Sequence, residues 1–289
     1  MMRNVPTPAQ RRKNTHEETG CMSCFSLCVL KGGAAMRYDV LLFDVDDTLL
    51  DFGACEQEAL HATFARFALP FSPREKQAFH AINDVLWARY EQGEISRDEL
   101  CRTRFARLFA QMGAAVDPLV FEEAYQHALS LGHALMPHAR EVLIGLQGRA
   151  RVVLASNGVC ATQHRRINEA GIRPYVDAVF LSEEIGARKP DPRFFDTVLK
   201  ALGEPARTRC LMIGDSLRSD IQGAAGAGLD SVWLNPQGKA ASMAVQPTYE
   251  IKTLLELEEI LEVSDDEAEE QRTKAAGGRA CFPSEAGQQ

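Results

Sequence analysis

The sequence predicts an α/β protein with a doubly wound parallel sheet and a helical unit inserted after the first strand. Three observations predict it. Short apolar runs at residues 38–44, 151–156, 178–182, 209–214 and 231–234 have the length and unbroken hydrophobicity of strands buried on both faces. Helical patterns separate the last four runs, and strands alternating with helices pack as a parallel sheet. The stretch 52–133 carries helical periods and no strand signal.

Taken in order, residues 1–36 are punctuated by Thr, Asn, Gly and Pro without a period and read as a disordered extension. Arg11, Arg12 and Lys13 precede an apolar run at 21–30, as in a signal peptide, but Glu17 and Glu18 interrupt the pattern and the run is short. The core is expected over 37–51 and 134–263. Between its two pieces, 52–133 reads as a small all-helical cap, a lid over the strand ends. Within it, Ile82, Val85, Leu86 and Tyr90 fall on one helical face, Gly93 suits a helix stop, and Ser96 with Glu99 forms a capping box. Near the end, 251–261 reads as an amphipathic helix with Leu254, Leu255, Leu257 and Leu261 on its apolar side. Residues 264–289 turn acidic and then Gly/Ala/Gln-rich, a second disordered tail.

Composition narrows the function classes. A chain of 289 residues with 45% hydrophobic and 25% charged residues builds its core without disulfides. Its formal net charge of -8 excludes the broad basic face of a nucleic-acid binder but not a small anionic substrate in a locally positive cleft. No run reaches the roughly 20 apolar residues of a membrane span. Of the eight cysteines, Cys55, Cys101, Cys160, Cys210 and Cys281 are scattered singly, which reads as reduced, cytoplasmic usage. Cys21, Cys24 and Cys28 have metal-like spacing but no second pair to close a zinc site.

Ligands of open α/β sheets bind at the carboxyl ends of the strands, so the chemistry is sought there. The first strand runs into Asp44, Asp46 and Asp47; the second ends at Ser156-Asn157; Lys189-Pro190 follows the third; the fourth ends at Gly214-Asp215, with Asp220 just beyond. An acidic cluster is ordinarily a solvated loop or a helix cap. Here it directly follows the buried run 40–43, and carboxylates so crowded call for a cation, for which Mg²⁺ is suited by its preference for oxygen ligands. Ser156 alone reads as an N-cap, Lys189 as a surface residue, and Asp215 and Asp220 as helix caps. Only their convergence on one rim raises them to a site.

With that constellation the chain resembles the haloacid dehalogenase (HAD) superfamily of hydrolases over about residues 37–263. The motifs FDVDDTLL at 43–50, Ser156-Asn157, Lys189-Pro190 and GDSLRSD at 214–220 stand in the family's order. The segments at 87–96, 156–158, 182–191 and 219–229 resemble the superfamily's bacterial pyrimidine 5′-nucleotidases, which dephosphorylate UMP, dUMP and dTMP. The resemblance implies a Mg²⁺-dependent phosphomonoesterase. Asp44 would be the nucleophile and Asp46 the general acid and base. Ser156, Asn157 and Lys189 would hold phosphate. Asp44, the Asp46 backbone carbonyl and Asp215 would hold the metal, with Asp220 in support. It implies a small-molecule phosphomonoester as partner, with neither nucleic acid nor membrane; nothing in the sequence sets the oligomeric state. Two alternatives stay open: a phosphatase for phosphoglycolate or sugar phosphates, and a catalytically silent binding protein on the same fold. A haloacid dehalogenase would require neither Asp46 nor Asp215. Phe52, Trp87, Tyr90 and Phe105 are possible nucleobase platforms but read as core.

Overall fold

The computed structural model describes residues 35–240 and 246–263. Apart from Ala35 and Met36, the expected extension at 1–36 with its Cys21, Cys24 and Cys28, and the tail at 264–289, lie outside the described residues. Met36 pairs antiparallel with Glu262.

Six parallel strands, β1 (Val40–Phe43), β2 (Arg151–Ser156), β3 (Ala178–Leu181), β4 (Cys210–Gly214), β5 (Asp230–Leu234) and β6 (Tyr249–Ile251), form one sheet in the order β3-β2-β1-β4-β5-β6. The order reverses beside β1, so the crevice for a ligand opens at the carboxyl ends of β1 and β4. Register brings those ends level: Phe43 pairs with Leu154 on one side and with Ile213 on the other. Side chains of β1 alternate between two layers. Leu41 and Phe43 join one buried cluster with Leu143, Leu154 and Ile213, while Val40 and Leu42 join another with Phe194, Phe195 and Met212. Burial on both faces explains why these strands are apolar throughout.

Helices α1 (Phe52–Arg66), α2 (Pro73–Glu91), α3 (Arg97–Met112) and α4 (Pro118–Leu131) lie between β1 and β2 and have a core of their own. Phe64, Phe79, Phe105, Phe121 and Tyr125 fill it, with the Phe105 and Phe121 rings 4.6 Å apart. Arg104 is buried among these rings because both its terminal groups are committed, to Glu122 and to the Asn83 carboxamide oxygen. The chain leaves and re-enters the sheet layer side by side. Leu50 pairs antiparallel with Leu135, Met136 N–H donates to Leu49 O at 2.9 Å, and Asp51 N–H donates to Ala134 O at 2.9 Å.

The remaining helices, α5 (Ala139–Leu146), α6 (Cys160–Glu169), α7 (Ser182–Ile185), α8 (Pro192–Ala201), α9 (Gln222–Gly226) and α10 (Leu257–Leu261), belong with the sheet. Among the described residues no helix is long and apolar enough to cross a membrane.

Several local expectations are corrected. The helix expected over 251–261 is broken: Ile251 closes strand β6, Thr253 and Glu256 form a capping box, and helix starts only beyond it. Leu255 is 44% exposed and leaves the apolar side, because the intervening turn is a 3₁₀ turn whose three-residue period rotates it outward. Val85 is 54% exposed although Leu86 and Tyr90 on the same helix are buried, so the buried face is narrower than the pattern suggested. Ser96 caps α3 by accepting from Glu99 N–H. The reciprocal capping box forms instead at Ser72 and Glu75, ahead of α2.

Candidate active site

β1 ends beneath the cavity. Asp44 N–H donates to Ile213 O at 2.8 Å, which carries the sheet ladder one residue further and fixes the carboxyl root. The chain then turns sharply: Leu49 and Leu50 N–H both donate to Val45 O, and Asp47 sits at φ 55°. The turn separates the three carboxylates. Asp44 accepts from Lys189 and Asp46 from Gln163 and Arg166, while Asp47 Oδ1 accepts from Phe52 and Gly53 N–H at the start of α1. One member of the acidic cluster is thus a helix cap.

Lys189 lies at the centre, 1% exposed. Its Nζ donates to Asp44 Oδ1 at 2.6 Å and to Asp220 Oδ1 at 2.7 Å. Asn157 holds the lysine backbone from both sides, accepting from Lys189 N–H at 2.9 Å and donating to Lys189 O at 2.8 Å. Asn157 therefore braces Lys189 with its side chain, a role the motif alone does not reveal. Asp220 also accepts from Ser216 N–H and Ser219 Oγ, so donors occupy both its oxygens. A π-helical turn at Leu217–Ile221 brings it there.

Asp215 follows β4, its backbone oxygen held by Trp233 Nε1 at 2.8 Å. Ligand oxygens of Asp44, Asp215 and Asp220 lie within 4.8 Å of one another. One lysine faces all three. Burial pushes the Asp44 carboxyl up to about 8, Lys189 pulling the other way and the neighbouring carboxylates adding to the rise. Burial, then Asp44 and Asp220, push Asp215 well up. This crowding of carboxylate oxygen fits a hard divalent cation, with Asp215 and the Asp44 oxygen that Lys189 leaves unbound available to hold it.

Asp46 stands apart from that trio. Arg166 Nη1 donates to its Oδ1 and Gln163 Nε2 to its Oδ2. Gln163 Nε2 also donates to Ser156 Oγ at 3.0 Å, and Arg166 Nε donates to Gly132 O at 3.0 Å. Both donors sit on α6, three residues apart on its inner face, and both are 1% exposed. Sequence reading missed them. The signal was present as a Gln and an Arg at helical spacing just after Ser156-Asn157, but polar residues at that spacing usually mark a solvated face.

Gly158 is required by this packing, since a β-carbon there would overlap the Gln163 carboxamide. Gly158→Ala is expected to displace Gln163 from Asp46 and lower kcat roughly ten- to a hundredfold, the scale of a misplacement of about 1 Å. Thermal unfolding beside turnover separates this from misfolding.

Cap helices complete a cavity of about 250 Å³. Phe52, Asn83, Trp87, Arg97 and Gln126 line it from the cap, opposite Asp44, Ser156 and Lys189. Arg97 reaches from α3 to the Asn157 carbonyl, with its guanidinium 4.6 Å from the Trp87 ring and 4.5 Å from the Tyr90 ring. Of the four aromatic residues assigned to the core, Phe105 is buried there, but Phe52 and Trp87 also face the cavity.

Glu91, at the end of α2, lines the same space 3.9 Å from Arg218. Burial pushes its carboxyl up to about 7, with Arg218 opposing. A folded-state value above the unfolded one means that stability present at low pH is lost as the pH rises through it. Glu91→Gln is therefore expected to melt at a higher temperature than the parent at about pH 8, with the gain shrinking towards about pH 5.

The model of the haloacid dehalogenase-like hydrolase family matches residues 38–228. The chain is 38% identical over 229 residues to the HAD-hydrolase YfnB of Bacillus subtilis, a match covering 79% of this chain and 97% of that protein. It is 36% identical to the pyrimidine 5′-nucleotidase PynA of Streptococcus pneumoniae, covering 78% and 96%. It is 33% identical to the pyrimidine 5′-nucleotidase YjjG of Escherichia coli, covering 78% and 99%. A crystal structure of YfnB bound to magnesium superposes with a TM-score of 0.75, covering 78% of this chain and 100% of that one. Sequence, sheet topology and the side chains gathered at the strand ends agree: the chain belongs to the haloacid dehalogenase-like hydrolases.

Proposed function

We propose that the chain is a Mg²⁺-dependent phosphomonoesterase that works through an aspartyl-phosphate on Asp44, and that its substrates are pyrimidine nucleoside monophosphates such as UMP, dUMP and dTMP. The observation that carries the chemistry is the buried Lys189 bridge between Asp44 and Asp220, set beside Asp215 where the strand order reverses. The substrate class rests on the likeness to PynA and YjjG across almost their whole lengths.

Asp44 attacks phosphorus, and the bond to the leaving oxygen breaks as Asp46 gives that oxygen a proton. Asp46 then takes a proton from water, which attacks the phosphoryl group and frees Asp44 and inorganic phosphate. Arg166 and Gln163 keep Asp46 in place beside Ser156. Lys189 and Ser156 hold phosphoryl oxygens, while Asn157 fixes the Lys189 backbone. The Asp44 carboxylate, the Asp46 backbone carbonyl and Asp215 would hold Mg²⁺, which offsets the repulsion between an anionic nucleophile and an anionic substrate. The four described cysteines Cys55, Cys101, Cys160 and Cys210 are free thiols, in keeping with a cytoplasmic enzyme.

Phosphate release from UMP, dUMP, dTMP, AMP, GMP, phosphoglycolate and sugar phosphates, with Mg²⁺ and then with EDTA, tests the reading. The expected result is metal-dependent turnover with kcat/KM about tenfold or more higher for the pyrimidine monophosphates, the range one pocket's contacts supply. Turnover of sugar phosphates alone would keep the Asp44 mechanism and discard the nucleotidase. Folded protein without turnover on the whole panel would favour the silent binding protein.

A further inference from the structure

Away from the cavity, α6 and α7 bring a thiol, an imidazole and a carboxylate together. Cys160 opens α6, and His164 follows one turn later on the same face. Glu184 meets them from α7. Its Oε1 accepts from Cys160 Sγ at 3.3 Å and lies 2.8 Å from His164 Nε2. All three ligand atoms fall within 4.8 Å of one another. Glu183 Oε2 accepts from Cys160 N–H at 3.2 Å and steadies the start of the helix from the same side.

We propose that Cys160, His164 and Glu184 form a second metal site, for a zinc-class ion, that ties α6 to α7 from outside the catalytic cavity. The donor set selects the ion. Sulfur, nitrogen and oxygen together suit Zn²⁺, Co²⁺ or Ni²⁺, whereas Mg²⁺ takes oxygen ligands. The geometry is nearly in place. Zinc-to-ligand lengths of roughly 2.0–2.3 Å put tetrahedral donors about 3.3–3.5 Å apart. The observed 3.3 and 2.8 Å need only a small outward shift. The His164 and Glu184 side chains, 45% and 46% exposed, are free to make it and leave a fourth position for water.

A nucleophilic role for this cysteine fits less well. Burial and the Glu184 and Glu183 carboxylates push the Cys160 thiol up to about 11, the reverse of what a reactive thiolate needs. A bound cation inverts that balance and holds the thiolate as a ligand. The location gives the ion something to act on. Cys160 lies two residues after Gly158, and α7 leads through Gly186 to Lys189. One ion would fasten the segments carrying Ser156 and Lys189 to each other through three residues that do not line the cavity.

The test uses the full chain with Cys21, Cys24, Cys28, Cys101 and Cys281 replaced by Ser, so that the thiols left beside Cys160 are the buried Cys55 and Cys210. Co²⁺ is titrated under reducing conditions in excess Mg²⁺. One Co²⁺ per chain with a near-ultraviolet thiolate charge-transfer band, displaced by Zn²⁺, is expected. On this background Cys160→Ser should abolish the band, and His164→Ala and Glu184→Gln should each weaken binding at least tenfold. Turnover of Cys160→Ser in Mg²⁺ should match the parent and show an intact fold. Absence of the band in excess Co²⁺, or its survival in Cys160→Ser, would overturn the site. Neither result bears on the phosphatase reading, which the Mg²⁺ assays decide.

Discussion

Asp44→Asn is expected to lower phosphate release at least about a thousandfold, in keeping with removal of a covalent nucleophile. The carboxamide keeps the shape of the side chain and an oxygen that can accept from Lys189 Nζ, which stands 2.6 Å away. What it loses is the charge and the attacking oxygen. Because Asp44 is one of three carboxylates facing a single lysine, the metal-free variant should unfold at the same urea concentration as the parent or a higher one. The pairing of lost turnover with kept stability marks a chemical role. Wild-type-like release would remove the aspartyl-phosphate scheme. Unfolding with lost turnover would mean that Asp44 is chiefly structural.

Lys189→Met should have the largest effect on stability. The lysine is 1% exposed, and without it Asp44 and Asp220 face each other buried and uncompensated. Removing one partner of a buried ion pair costs about 3–5 kcal/mol. Urea unfolding of the metal-free variant measures that loss, and Mg²⁺ should restore part of it by supplying positive charge at the Asp44 carboxyl. Asp44 is already pushed up to about 8, and loss of the ammonium raises it further. A carboxyl raised on folding favours the native state at low pH and ceases to as the pH rises. The defect should therefore shrink as the solution is acidified. A defect that grew on acidification would mean that the lysine does not offset these carboxylates.

The site was legible where side-chain chemistry and strand position coincided. Asp44, Ser156 and Asp215 each sit at or just past the end of an apolar run, and their strands are neighbours in the sheet. Lys189 could be placed because the loop after β3 returns to that rim. Gln163 and Arg166 were not legible, since their work depends on how α6 is turned toward Asp46, and no local pattern encodes that rotation. Strand β6 escaped for a related reason. It has three residues, pairs with one neighbour, and carries an exposed Glu250 at its centre. Its apolar signal was merged with the leucines after it. Asp47 shows the converse, a carboxylate that belonged to the motif by sequence and to a helix terminus by structure.

The paired crossing at Leu50 and Leu135 has an evolutionary consequence. Both connections to α1–α4 leave the sheet layer at one hydrogen-bonded waist, so the chain enters and leaves the helical unit at a single place. Such a unit is exchangeable. Another insert of any length whose ends meet there would leave Asp44, Lys189 and Asp215 where they are and present them with different walls. Chimeras joined at this waist should keep the hydrolytic step and inherit their substrate range from the donor of the insert, a route by which one reaction can be redirected without being rebuilt.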